Sequence, residues 1–133
     1  MSLCAAPEKL GRWIGDRMSK RVEISRFDGN DFQVMAQFEG WKIGLLRISD
    51  RFSAYRQEER HLLTDEVFVL LEGEAVLYVE GEQFSMETGT LYNVKKGAWH
   101  HIVVSSDATV MVVENSNTGA ENTQIRRVEH ADQ

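Results

Sequence analysis

Gly73, Gly81, Gly89 and Gly97 fall eight residues apart, leaving runs between them too short for ordinary helices. Turn formers repeated at that interval belong to antiparallel sheets that reverse direction often. The runs carry matching chemistry. Residues 66–71, 75–79, 83–86 and 91–94 are rich in Val, Leu, Phe and Tyr, and Glu80-Gly81-Glu82 reads as a tight hairpin between the second and third of them. Further strands are predicted at 22–24, 32–38, 41–48, 102–104, 109–114 and 124–128. Asp28-Gly29-Asn30-Asp31 is dense in turn formers. Val34, Ala36 and Phe38 alternate as one face, and Trp41, Ile43 and Leu45 as another. The stretches 51–60 and 115–122 are polar and irregular. Nine to eleven short strands indicate an all-β sandwich or barrel.

One departure from this pattern lies near the start. Leu10, Trp13, Ile14 and Met18 recur at helical spacing after Pro7, which a first helical turn tolerates. A short helix over 7–20 is expected to pack on the outside of a single barrel domain spanning 21–133. A chain of 133 residues buries roughly two-thirds of its unfolded surface and needs no staple to hold a core. Val67-Phe68-Val69-Leu70-Leu71 is apolar on both strand faces. One face can line the barrel, and the other must pack on a second sheet, on the helix or on another subunit, so a homodimer would cover it.

Composition narrows the partners. Fifteen basic residues against twenty-one acidic ones give a net charge of −6 with no basic cluster, which argues against a nucleic acid partner. No segment approaches the roughly 20 apolar residues of a membrane span, and the first residues lack the apolar run of a signal peptide. A cytoplasmic protein without membrane contact is expected. Cys4 is the sole cysteine, which leaves no internal disulfide and no thiolate metal site.

Three of the four histidines fall in two strips where strands should begin or end. In Glu59-Arg60-His61-Leu62-Leu63-Thr64-Asp65-Glu66, Glu59 and His61 share parity and leave one strand face about 7 Å apart. Glu66 has the opposite parity, so the 62–65 stretch must turn before its strand begins. In the second strip, His100 continues the face of Ile102 and Val104, and His101 continues that of Trp99 and Val103. Both faces are apolar, and alternation alone leaves the inward histidine open.

The two strips resemble the paired motifs of the cupins, the RmlC-like jelly-roll superfamily. Glu59-Arg60-His61, four residues, Glu66, six residues and Gly73 is similar to their first motif, Gly-x5-His-x-His-x3–4-Glu-x6-Gly. Gly89, five residues, Lys95-Lys96-Gly97, two residues and His100 is similar to the second, Gly-x5-Pro-x-Gly-x2-His-x3-Asn. The resemblance implies a jelly-roll barrel in which His61, Glu66 and His100 hold one divalent metal ion. Glu59 stands where the family has its first histidine, Lys95 replaces the proline and Val104 the asparagine. With Glu59 the ligand set becomes two nitrogens and two oxygens, which suits Zn, Mn, Fe, Ni or Co. Without it, the set is the two-histidine, one-carboxylate arrangement of non-haem iron oxygenases.

The resemblance also implies function classes. A metal-binding enzyme would act on a small oxygen-bearing metabolite, either by Lewis-acid isomerase, epimerase or lyase chemistry or by activating dioxygen. Glu59, if free of metal, is a candidate base. The rival class is a non-catalytic binding module or sensor with a structural metal or none. A third reading is a metal-free epimerase working with a histidine and a tyrosine. Tyr55, Tyr92 and Trp99 are candidates for the pocket mouth, and His101 for orienting a ligand from behind. Lys95 and Lys96 are read as a solvated turn, and 110–114 as an ordinary buried strand.

Overall fold

The computed structural model describes residues 16–18 and 21–129. Twelve strands follow in chain order: β1 (Asp16–Met18), β2 (Glu23–Ser25), β3 (Asp31–Phe38), β4 (Trp41–Arg47), β5 (Gln57–His61), β6 (Glu66–Glu72), β7 (Ala75–Val79), β8 (Glu82–Ser85), β9 (Leu91–Val94), β10 (His100–Val104), β11 (Thr109–Asn115) and β12 (Thr123–Arg127). Single 3₁₀ turns at Asp50–Phe52 and Ala120–Asn122 precede β5 and β12. Two five-stranded antiparallel sheets face one another, in the orders β12-β5-β10-β7-β8 and β3-β4-β11-β6-β9, while β1 and β2 form a separate ribbon. No helix among the described residues is long and apolar enough to cross a membrane.

The helix expected over 7–20 meets one correction. Asp16–Met18 is extended and pairs with Glu23–Ser25, because a sheet partner close in sequence satisfies its backbone groups; the rest of that segment lies outside the described residues. A second correction concerns β3. A register shift between Val34 and Ala36 pairs Val34 with Gly44 but Ala36 with Ile43. The bulge moves Ala36 and Phe38 to the opposite face from Val34, since an added residue reverses a two-residue period. The polar stretch 51–60 also contains more order than expected, because its last four residues belong to β5.

Alternation sorts the rest of the sheet. Phe68 and Leu70 on β6, Val110 and Val112 on β11, Leu77 on β7 and Ile102 and Val104 on β10 point inward and form one buried core. Val67 and Val69, with Ile43, Leu45, Met111 and Val113 beside them in register, face outward. Phe38, Trp41, Leu71 and Leu91 are exposed around this outer face.

Gly73 closes β6 at φ +78, and a Cβ there would sit 2.4 Å from Ala108 Cα. Both the left-handed conformation and the backbone approach require glycine. Gly73→Ala is expected to lower the unfolding free energy by roughly 2–4 kcal/mol. Urea denaturation measures this, and an unchanged midpoint would contradict the close packing of that turn.

Candidate metal centre

His61 ends β5 in one sheet, and Glu66 opens β6 in the other. The 62–65 turn therefore carries the chain from one wall of the barrel to the facing wall, and opposite parity along the chain becomes convergence in space. Leu62 N–H donates to Asn122 O at 2.9 Å. Asp65 accepts from Lys96 N–H at 2.9 Å, from Lys95 Nζ at 3.0 Å and from Asn93 Nδ2 at 3.2 Å. Gly97, at φ +82, donates its N–H to His61 O at 2.8 Å. These contacts draw the 95–99 turn against β5, so that β10 starts with His100 opposite Glu59.

Glu66 Oε1 lies 3.1 Å from His61 Nε2 and 2.8 Å from His100 Nε2. The far nitrogen of each ring is already committed. His100 Nδ1 is 3.0 Å from Ala98 O, an atom that can only accept, so Nδ1 carries the proton. His61 Nδ1 is 3.0 Å from Thr123 Oγ1, and that hydroxyl donates its own hydrogen to Thr118 O at 3.2 Å. His61 Nδ1–H must therefore be the donor to Thr123. In the neutral form both rings turn an Nε2 lone pair toward the same carboxylate oxygen. Only positive charge between them, as two imidazolium protons or one cation, makes that arrangement favourable.

Glu59 completes the group. Its Oε1 accepts from Arg51 Nη2 at 3.3 Å, and its Oε2 lies 3.7 Å from His61 Nε2. One donor atom from each of Glu59, His61, Glu66 and His100 falls within 4.8 Å of all the others. The histidines and Glu66 are buried, and Glu59 is half-buried. Two imidazoles and two carboxylates fit a borderline divalent ion in charge and in donor type.

A third acid beside the four donors was not singled out by sequence. Glu114 pairs in register with Glu66 on one side and with Lys42 on the other, so Lys42, Glu114 and Glu66 form one inward row across β4, β11 and β6. Lys42 Nζ is 3.7 Å from Glu114 Oε1, and Glu114 Oε2 is 3.7 Å from His61 Nε2. Oε2 is buried without a hydrogen-bond partner among the described residues. Its signal in the sequence was parity: Glu114 continues the inward face of Val110 and Val112. These residues line a cavity of about 270 Å³ together with Arg51, Phe52, Phe68 and Thr118.

The electrostatics follow from the contacts. Burial opposes charge on Glu66, but the hydrogen bonds from His100 and His61 outweigh it and hold the carboxyl well below the usual range. Burial likewise opposes charge on His100, and the Glu66 carboxylate raises its pKa nonetheless. Glu114 is pushed up to about 9, first by burial and then by Glu66 beside it.

The other candidates lie outside the donor group. His101 lines the cavity, as expected, but is not one of the converging donors: it donates Nε2–H to Ala54 O at 3.0 Å, with its ring stacked on Phe52 and Tyr55. Its pKa is lowered by burial. Tyr55 stacks on Tyr78 and donates to Glu58 Oε2 at 2.7 Å on the outer side of the sheet. The guanidinium groups of Arg60 and Arg126 both pack against the Trp99 ring. Tyr92 packs against the core, where its hydroxyl accepts from Glu87 N–H at 2.9 Å. None of these three aromatics lines the cavity, because each ring is drawn to a partner outside it.

The raised Glu114 gives a pH dependence with a fixed sign. The folded chain holds that proton up to about pH 9, whereas an unfolded glutamate releases it near pH 4.3. Unfolding then releases a proton, and stability falls as pH rises between those values. Metal-free protein is expected to lose thermal stability from pH 5 to pH 9. Glu114→Gln is expected to flatten that slope, and an equal slope in both proteins would refute the assignment.

Similarity to known proteins agrees with this geometry. Residues 53–114 match the family described as "Cupin domain", a span that holds all seven acids and histidines lining the cavity. No curated protein matches in sequence. Among solved structures, Pac13, a unique nucleoside dehydratase, is 13% identical with a TM-score of 0.59, covering 82% of this chain and 89% of its own. One Streptomyces Pac13 structure is with uridine. A cupin-2 domain containing protein from Shewanella frigidimarina is 21% identical with a TM-score of 0.57, covering 67% and 84%. KdgF from Halomonas sp. is 14% identical with a TM-score of 0.54, covering 63% and 76%. At these identities the likeness establishes the fold alone. Residues 53–114 are thus similar to the cupin-domain family, and the facing sheets and the placement of both motifs agree with the cupin fold.

Proposed function

We propose that this protein is a cytoplasmic metal-binding cupin that acts on a small oxygen-bearing metabolite, with His61, Glu66, His100 and Glu59 as donors to one divalent ion. One observation supports this above the others: two buried Nε2 atoms, each held by a committed Nδ1, meet on a single oxygen of Glu66. When bound, a divalent ion would supply Lewis-acid polarisation for isomerase, epimerase or lyase chemistry, or a centre for dioxygen activation.

The chain's own residues supply the remainder. Thr123 and Ala98 orient the two imidazoles. Glu66 and Glu59 offset the charge, and Arg51 fixes Glu59 from the solvent side. Phe52, Phe68, Ile102 and Val112 wall the cavity and limit water beside the donors. That the donors border a cavity favours a ligand-accepting site over a purely structural one. Pac13, a nucleoside dehydratase, shares the fold and supports a small-molecule role. The histidine–tyrosine epimerase reading has little support, since Tyr55 and Tyr92 are engaged elsewhere. A homodimer is the accompanying proposal. The broad apolar outer face around Leu45, Met111 and Leu91 suits packing against the same face of a second copy.

Two measurements check these proposals. Elemental analysis of protein purified without affinity metals should find about one ion per chain in wild type and in His101→Ala, and under about a tenth of that in His61→Ala and His100→Ala. A metal-poor wild type, or a His101→Ala protein emptied while His100→Ala stays loaded, would reject the centre. Sedimentation velocity should find a dimer that Leu91→Lys weakens, and a monomeric wild type would remove the dimer.

A further inference from the structure

The cavity holds polar atoms that the donor set does not use. Lys42 reaches it from β4 with its side chain 19% exposed, and its ion pair to Glu114 is 3.7 Å long with no hydrogen bond among the described residues. Arg51 reaches it from the turn before β5. That guanidinium has five N–H donors, yet makes one 3.3 Å contact with Glu59 and lies over the Phe52 ring. Glu114 Oε2 is buried, and the residue lines the same space; that oxygen has no hydrogen-bond partner among the described residues. Two under-used cations thus border the cavity, one from β4 and one from the turn before β5, and one unsatisfied acid oxygen belongs to the residue paired with the first of them.

Charge selects among ligands. Glu58 also borders the cavity, but Arg126 at 2.7 Å neutralises it from the outer side of the sheet. Glu59, Glu66 and Glu114 remain, against Lys42, Arg51 and a divalent ion. With every carboxylate ionised, the loaded cavity still has one positive charge in excess. A small anion restores neutrality in a partly desolvated space, whereas a neutral ligand leaves the excess uncompensated. Phe32, Leu46, Phe68 and Val112 bound the rest of the cavity. Its volume of about 270 Å³ lies at the small end for ligand sites.

We propose, on the footing of the metal centre above, that the cavity takes a small hydroxycarboxylic acid. Its carboxylate is recognised by Lys42 and Arg51, and a hydroxyl bonds to Glu114 Oε2. The two cations choose an acid over a polyol or a nucleoside, and Glu114 chooses a hydroxy acid over a plain one. Each of these groups would otherwise lose a hydrogen bond inside a sheltered site.

Calorimetric titration of the full chain, dialysed after loading with Mn(II), tests this with malate and lactate as acids, propionate as the plain acid, and glycerol and uridine as neutral probes. Metal content is measured on the same samples. Malate or lactate should bind at least about ten-fold tighter than propionate, glycerol or uridine. Lys42→Gln and Arg51→Gln should each weaken the hydroxy acids by about ten-fold while circular dichroism stays unchanged. Arg51→Lys, which keeps the charge, should recover part of the loss. A loaded protein that binds the acids no better than glycerol or uridine overturns the ligand class and leaves the metal centre standing. Equal binding of propionate and lactate overturns the Glu114 assignment. A chain that takes up no Mn(II), Zn(II) or Fe(II) overturns the metal reading and this one with it, and the elemental analysis identifies that case.

Discussion

A buried carboxylate stays ionised only with positive charge beside it, because the loss of hydration otherwise costs several kcal/mol. Glu66 meets that condition through two imidazoles on the facing sheet. Since β6 belongs to one sheet, and β5 and β10 to the other, this shared oxygen joins the two walls where the apolar core stops. The sheets must approach closely there, and the turns at 62–65 and 95–99 are pinned by Asp65 and Gly97 to let them do so. The remainder of the site is built outward from that contact. Thr123 from β12 and Ala98 from the 95–99 turn fix the rings. Glu59 extends the donor set toward solvent.

The row Lys42–Glu114–Glu66 shows how a sheet sets electrostatics by register. Three adjacent strands each place one ionisable group inward at the same level, where the next level holds Phe68, Val112 and Gly44 with the Phe32 ring against it. Two acids side by side cannot both be charged at low cost in such a place. The histidines hold Glu66 ionised, and Glu114 retains its proton with Lys42 nearby. One wall thus carries a carboxylate that accepts and a carboxyl group able to donate. Their different roles arise from which strand faces the imidazoles.

What could be read in the chain follows the range of the interactions. The glycine interval and the apolar alternation are local, and the two-sheet fold is visible in them. The spacing of the two cupin motifs placed His61, Glu66 and His100, and these do converge. Alternation left His100 and His101 undecided, because Trp99 and Val103 are as apolar as Ile102 and Val104. β5 was harder to see, since Gln57-Glu58-Glu59-Arg60 has no β-branched or aromatic residue. It is a strand because Arg126, 68 residues away, neutralises its outward Glu58 and because β12 pairs along it. Tyr55 and Trp99 were misplaced for a similar reason: the groups that attract them, Tyr78 and Arg126, are distant in sequence. Glu114 was legible in principle. Its parity with two fully buried valines marked it as inward, and an inward acid in a barrel requires a reason.

The neighbouring histidines His100 and His101 divide one task between two faces of a strand. His100 turns to the carboxylate, and His101 leaves the opposite face of the strand, where it borders the cavity, its Nε2–H holds Ala54 O and its ring stacks on Phe52 and Tyr55. The loop held in this way includes Arg51, which reaches back to Glu59 across the cavity edge. One strand therefore sets a donor directly and, through the loop packed on its other face, the charge at the entrance. Because β10 pairs with β5 only at His100 and Glu59, the strands diverge beyond that point and Phe52 fills the gap. The same divergence opens the space in which a ligand could sit. A longer β5–β10 ladder would close the barrel and bury the donors without access, so the short pairing is the geometric condition for a binding site at this end of the fold.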